Sequence, residues 1–326
     1  MMHPCRARCA WCSTHRKNKL FQQLQDDGRS ADFHQTYLDV LERFKPEEVF
    51  ISGGEPLLEP TIETFLHAVA RHTKRIHVFT SYQFSAAVMA KVAEMALPDM
   101  VTLNHTPIYF EPDRWHHLTR GFPFEVYLNN IRQAVKLKVR KRFKFIINHS
   151  LIEDEIRTFQ DAVEPDETCE VSLKIMNDQG DGLMVEHMKK TSQRLHHRLP
   201  KLDEILASAG WSQGVRPKGS ADLMRPVVQT QDVTRCPYRN APLELRLSYD
   251  GGARARSVLK YRYCPYFPPE AGHRFHIGRD SIEKMAKNFK KGPFREHCSK
   301  CRLLHYTPPC EQSNTGSESE LEVIQP

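Results

Sequence analysis

The sequence predicts an α/β protein: a parallel sheet with helices outside it, followed by a smaller cysteine-bearing C-terminal domain. Three observations predict this. From residue 30 to about 176, stretches with apolar residues at helical spacing alternate with short apolar runs of strand length. One of those runs stops abruptly at Gly53-Gly54-Glu55. Beyond residue 230 the chain turns irregular, rich in Arg, Pro and Tyr, and carries five of the nine cysteines.

Ser30 stands where an N-cap is expected, and Phe33, Tyr37, Leu38, Leu41 and Phe44 repeat behind it at helical spacing. Residues 48–56, Glu-Val-Phe-Ile-Ser-Gly-Gly-Glu-Pro, read as a short apolar strand ending in two glycines and a carboxylate. Pro60 opens the next helix, with Ile62, Phe65, Leu66 and Val69 on one face. Residues 75–81 give a strand, 85–96 a helix and 100–105 another strand. A helix over 124–138 leads into a strand at 143–150, and a last strand of this series follows at 170–176. Lys136, Lys138, Arg140, Lys141 and Arg142 crowd one segment and read as a solvated helix end ahead of a strand. Further on, a helix over about 191–209 precedes a strand and turn, Leu245 to Gly252.

At 326 residues the chain has room for one large domain and a smaller one. It is 40% apolar and 27% charged, with no run near the roughly 20 apolar residues of a membrane-spanning helix. The N-terminus carries no apolar stretch of signal-peptide type, and the cysteines cluster as metal ligands do in a reducing compartment. The expected location is cytoplasmic. The net charge of +7 comes with no nucleic-acid motif and no aromatic interleaving, which argues against a nucleic-acid surface. An anionic substrate or an acidic electron donor suits that sign.

The run Cys5-Arg-Ala-Arg-Cys9-Ala-Trp-Cys12 puts three thiolates on one short loop. A [4Fe–4S] cluster is normally held by four cysteines, so three leave one iron open, and an open iron is a reactive position. Zinc is the rival, with His3 or His15 as its fourth ligand, and the loop by itself leaves both metals open. Glycines after a buried strand let the backbone approach a ligand, and Glu55 can accept hydrogen bonds from an ammonium group.

Together, the CxxxCxxC loop and the Gly-Gly-Glu element about forty residues later resemble the radical S-adenosylmethionine (SAM) superfamily. The resemblance implies that Cys5, Cys9 and Cys12 bind a [4Fe–4S] cluster whose open iron is chelated by the amino and carboxylate groups of SAM. Gly53, Gly54 and Glu55 then form the contact to the SAM amine. The implied fold is a partial (β/α)6 barrel, with cofactor and substrate at the C-terminal ends of the strands. Thr80, Ser81, Asn104, Asn148 and Ser150 stand there as candidate SAM hydrogen-bonders, although each alone reads equally well as a loop residue satisfying nearby backbone. The run from Asp113 to Gly121 resembles a segment of members with extra cluster domains, where Arg120 would contact a carboxylate or substrate. Members usually carry a strand before the cysteine loop. Here Met1-Met-His-Pro precedes Cys5, so either that strand is absent or the chain starts downstream of the usual point.

Cys236, Cys264, Cys298, Cys301 and Cys310 resemble the SPASM and twitch extensions of the superfamily, in which a β-hairpin gathers distant cysteines around an auxiliary cluster. A full SPASM domain has seven cysteines. Five fit a twitch-type domain with a second [4Fe–4S] cluster on Cys236, Cys264, Cys298 and Cys301, with Cys310 replacing one of them or staying free. Structural zinc is the alternative there. Cys169 reads as a bystander. The implied domains are a core over 1–185, a helical connector over 186–230, the cluster domain over 231–310 and a disordered Ser/Glu-rich tail over 311–326.

The resemblance implies reductive cleavage of SAM to methionine and a 5′-deoxyadenosyl radical that abstracts a substrate hydrogen atom. Electrons would come from a flavodoxin- or ferredoxin-type donor, and an auxiliary cluster would accept an electron or bind substrate. No single residue is assigned a catalytic role. The leading expectation for the substrate is a small metabolite of sugar, aminocyclitol, nucleotide or amino-acid type. It rests on the single auxiliary cluster and on the lack of room for a peptide-recognition domain before Cys5. The alternative is maturation of a ribosomally made peptide or protein side chain, with a separately encoded binder. A non-catalytic iron–sulfur or zinc scaffold is a third class, against which the Gly-Gly-Glu element argues.

Overall fold

The computed structural model describes residues 30–52, 54–107, 110–119, 121–146, 152–174, 216–217, 244–250, 256–262, 273–276 and 283. Helix α1 (Ser30–Phe44) ends where Lys45 takes a left-handed φ of 45° and its N–H returns to the Leu41 carbonyl at 2.8 Å. Strand β1 (Glu48–Ile51) follows, then helix α2 (Ile62–Ala70), whose Ile62, Phe65, Leu66 and Val69 are all buried as their spacing requires. Strand β2 (Arg75–Phe79), helix α3 (Ala86–Glu94) and strand β3 (Val101–His105) continue the alternation within a residue or two of the expected bounds. Helices α4 (Pro112–Thr119) and α5 (Phe124–Val135) lead to strand β4 (Arg140–Ile146). Helix α6 (Ile152–Val163) and strands β5 (Cys169–Lys174) and β6 (Arg216–Pro217) complete the series.

Two findings depart from the sequence reading. Helices α4 and α6 were not expected, although Ile156, Phe159 and Val163 lie at helical spacing and are buried. Strand β4 also starts at Arg140, so the basic run belongs partly to a strand and not to a solvated helix end. The reason is visible at Lys141, which is fully buried. Its ammonium donates to the carbonyls of Val135 at 2.6 Å and Leu137 at 2.7 Å and to the Thr168 hydroxyl, and it lies 3.6 Å from Asp166. Carbonyls at the end of an α-helix have no partner within the helix, and this cation serves the end of α5.

The six strands form one parallel sheet in the order β1-β2-β3-β4-β5-β6. Crossovers between parallel strands are right-handed almost without exception. An order that never reverses therefore keeps the helices on one face, as in a barrel wall, and creates no central switch point. On that face Val49, Ile51, Ile76, Val78, Val101, Leu103, Phe143, Phe145 and Val171 are buried with Leu66, Val69, Val92, Ile131 and Phe159 from the helices. Each such side chain contributes about 1.5–3 kcal/mol. Cys169 belongs to this core, its thiol pushed up to about 12 by burial.

A separate antiparallel sheet joins β7 (Glu244–Asp250), β8 (Arg256–Arg262) and β9 (His273–His276), with Leu247 opposite Leu259 and Leu259 opposite Phe275. Strand β7 matches the strand expected from Leu245. The helix expected over 191–209, the boundaries at 185, 230 and 310, and the tail over 311–326 lie outside the described residues. Among the described residues, no helix is long and apolar enough to cross a membrane.

Candidate active site

Strand β1 runs out at Ile51, and Gly54 then takes φ +60°, a conformation in which an L side chain is strained. Glu55 follows and is completely buried. It caps a short 3-10 turn, Pro56–Leu58, by accepting the Leu57 N–H on Oε1 at 3.3 Å. Its Oε2 accepts both the N–H and the hydroxyl of Ser81, each at 2.7 Å, and the Thr80 hydroxyl also bonds the carboxylate. Burial pushes the Glu55 carboxyl above its usual range, and these four donors pull it back. The carboxylate thus clamps the end of β1 to the end of β2.

The segment after β2 is held from several directions. Tyr82 adopts φ 55°, unusual for a residue with a side chain, in a conformation that costs about 1–3 kcal/mol. Its N–H donates to the Thr80 hydroxyl oxygen at 3.2 Å, and the Gln83 N–H donates to the Ser81 hydroxyl oxygen at 3.2 Å. From α5, Asn130 donates its amide to the carbonyls of Tyr82 at 3.0 Å and Phe84 at 2.7 Å. At the end of β3, the His105 ring lies 2.9 Å from the Thr80 carbonyl through Nδ1 and 2.7 Å from the Tyr127 hydroxyl through Nε2. Burial pushes His105 down to about 4, so the ring is neutral near pH 7. A carbonyl only accepts, so Nδ1 carries the proton and the Tyr127 hydroxyl donates to Nε2.

The sheet face away from the helices is polar and aromatic. Register sets Phe50, His77 and Thr102 in one row and Phe79, Asn104, Arg142 and Glu170 in the next. Phe50 is 46% exposed and stacks on His77 with ring centroids 4.7 Å apart. Lys144 sits 4.7 Å above the Phe79 ring, and Arg142 pairs with Glu170 at 2.7 Å. Burial and then the positive charge of Arg142 push His77 down to about 4. Asn104 donates to the Thr102 carbonyl at 3.0 Å, while its buried Oδ1 has no hydrogen-bond partner among the described residues. Such an acceptor costs about 1–3 kcal/mol until a donor reaches it.

Of the residues singled out in the sequence, the structure gathers Gly54, Glu55, Thr80, Ser81 and Asn104 at the C-terminal ends of β1, β2 and β3. Gly53, Arg120, Asn148 and Ser150 lie outside the described residues. So do Cys5, Cys9, Cys12, Cys236, Cys264, Cys298, Cys301 and Cys310. The sequence reading missed Phe50, His77, Phe79, Arg142, Lys144 and Glu170. Period-two alternation within β1, β2, β4 and β5 was the signal that puts them on the face opposite the core.

The two buried neutral histidines have a consequence for stability. Unfolded histidine binds a proton near pH 6.5, whereas His77 and His105 resist protonation until about pH 4. The stability they contribute is present above the unfolded value and is lost as pH falls through this window. About 2 kcal/mol for His105, and less for His77 on the open sheet face, should be lost by about pH 5. Urea-unfolding midpoints at neutral pH and near pH 5 check this, and a midpoint no more acid-sensitive than that of His105→Asn rules out a buried neutral ring at 105.

The family model of the radical SAM superfamily matches residues 1–164, and the chain belongs to that superfamily. Membership makes it an iron–sulfur enzyme that uses SAM. Three solved structures with the same overall fold are forms of SuiB from Streptococcus suis. The form bound to S-adenosylmethionine is 13% identical, with a TM-score of 0.53 over 94% of this chain and 68% of that one. The form bound to precursor peptide SuiA is 12% identical, with a TM-score of 0.54 over 94% and 69%. A third SuiB structure, also 12% identical, has a TM-score of 0.55 over 94% and 70%. A search of curated protein sequences finds no match.

The residues present fit the cofactors that the superfamily implies. Three thiolates at CxxxCxxC spacing are the donor set for a cluster with one open iron. Gly54 brings bare backbone to the C-terminal end of β1, and the buried Asn104 Oδ1 is an acceptor without a partner among the described residues.

Proposed function

We propose that this chain is a radical SAM maturase that modifies a ribosomally made peptide or a protein side chain. The observation that carries the reading is the likeness in fold over 94% of the chain to SuiB, a protein solved with a bound precursor peptide. This displaces the small metabolite as the leading substrate. That expectation rested on a single auxiliary cluster and on a recognition domain thought to be missing, and the second of these says nothing against a peptide held by the fold itself.

In this reading Cys5, Cys9 and Cys12 hold the [4Fe–4S] cluster, and Gly53, Gly54, Thr80, Ser81, Asn104, Asn148 and Ser150 surround SAM. When bound, the cluster and SAM together supply reductive cleavage and a hydrogen-abstracting radical. The residues of the chain hold the reactants in place and exclude water. Glu55 was expected to accept from the SAM amine, yet it already accepts from Ser81, Thr80 and Leu57. Its part is to fix the turn so that Gly54 presents its backbone to the amine. Asn104 Oδ1 takes a donor from the bound reactants, and Phe50 and Phe79 line the substrate side. Cys236, Cys264, Cys298 and Cys301, with Cys310 in reserve, hold an auxiliary cluster in a twitch-like domain. The chain's net charge of +7 suits an acidic flavodoxin- or ferredoxin-type electron donor.

The test is SAM turnover by anaerobically reconstituted protein, given reductant and either the peptide or the low-molecular-weight fraction of its source cells. The expected result is stimulation of 5′-deoxyadenosine release by the peptide fraction, with a SAM-dependent mass change in one peptide. Stimulation by the small-molecule fraction alone overturns the peptide reading.

A further inference from the structure

We infer that His105 and Tyr127 are positioning residues for the SAM-binding loops, acting through the peptide bond between Thr80 and Ser81. The inference rests on the functional reading above, in which Gly54 and the loop after β2 face SAM. The Thr80 carbonyl and the Ser81 N–H belong to one planar peptide group, which cannot flex within itself. Glu55 holds its N–H at 2.7 Å, and His105 holds its carbonyl at 2.9 Å. The plane is gripped at both ends. It cannot rotate without breaking the part-buried bond to Glu55 or the buried bond to His105.

Only one ring tautomer closes this grip. The Thr80 carbonyl requires the proton on Nδ1, and the Tyr127 hydroxyl, donating to Nε2 at 2.7 Å, keeps it there. Tyr127 is itself immobilised. It is fully buried and stacks on Trp115 with ring centroids 3.7 Å apart. Three residues further along the same helix, Asn130 takes the carbonyls of Tyr82 and Phe84. Helix α5 therefore holds the loop at Thr80, Tyr82 and Phe84, and through Glu55 it sets the turn that carries Gly54. The arrangement accounts for a left-handed Tyr82, which needs restraints on both sides to persist.

Two substitutions separate positioning from packing. His105→Asn puts an amide donor where Nδ1 stood and keeps the bond to the Thr80 carbonyl. His105→Gln puts its amide near the place of Nε2 and gives that bond up, although it fills more of the space. Equilibrium dialysis of SAM against the reconstituted protein should show binding weakened about five- to tenfold in His105→Gln and within about twofold of wild type in His105→Asn. The KM for SAM should follow, with kcat for 5′-deoxyadenosine release little changed. Tyr127→Phe, which removes one oxygen, should weaken binding in the same direction and carries the test if His105→Gln does not fold. Equal SAM affinity in the two His105 variants, or an unaltered Tyr127→Phe, overturns the inference and leaves His105 a packing residue. A wild-type protein that does not bind SAM fails at the earlier step and removes the functional reading together with this one.

Discussion

Cys9→Ala is expected to abolish 5′-deoxyadenosine formation outright. Cys9 is the middle of three thiolates on one loop, and without it only Cys5 and Cys12 remain to hold a cluster that needs at least three protein sulfurs. Iron in the reconstituted protein should fall by about four per chain. The far-ultraviolet circular dichroism spectrum should stay close to wild type, because the described sheet and its core are built from residues well beyond the loop. The same measurement separates the metals of the C-terminal cysteines. About four irons left in the variant identify an auxiliary [4Fe–4S] cluster on Cys236, Cys264, Cys298 and Cys301. Zinc in their place identifies a structural site. A Cys9→Ala protein that still makes 5′-deoxyadenosine from SAM ends the assignment of the N-terminal loop.

Glu55→Ala should be the most damaging change among the described site residues, for stability as well as for SAM binding. Truncation leaves the part-buried N–H of Ser81 and the buried N–H of Leu57 without an acceptor, at about 1–3 kcal/mol each. The hydroxyls of Ser81 and Thr80 can turn to other partners, so they add less. Relief from burying a carboxylate offsets part of the loss, since burial already pushes that group above its usual range. The net effect should be a loss of about 2–4 kcal/mol, read as a lower urea midpoint, with SAM affinity falling below detection. Glu55→Gln keeps the volume and one acceptor oxygen for Ser81, but it must turn its amide toward the Leu57 N–H. It should fall between wild type and Glu55→Ala. Wild-type stability in Glu55→Ala would show that this carboxylate is not what holds β1 to β2.

Much of this protein is written locally. The cysteine loop is a matter of spacing over eight residues, and the Gly-Gly-Glu turn follows a strand visible from its apolar run. Strands β1, β2 and β3 lie close to where their patterns put them, because each is a short apolar stretch between clear breaks. Strand β4 shows the limit of that reasoning. A run of Arg and Lys reads as solvated surface, yet alternation within it sends Lys141 to the core side with Phe143 and Phe145, and Arg142 to the other face. The burial of Lys141 depends on the carbonyls of Val135, the last residue of α5, and of Leu137 just beyond it, which residue hydropathy alone does not reveal.

The sequence by itself determined the class of chemistry, the parallel sheet and the placement of Gly54 and Glu55 after its first described strand. Only the tertiary structure decided what those residues do. Glu55 meets Ser81 from 26 positions away, His105 meets Tyr127 across 22, and Asn130 meets Tyr82 across 48. Periodicity and motif spacing report which face of its own element a side chain takes. Which distant group waits on that face is set by strand order and helix packing, and that is why the motif alone does not reveal that the Glu55 carboxylate clamps the end of β1 to the end of β2.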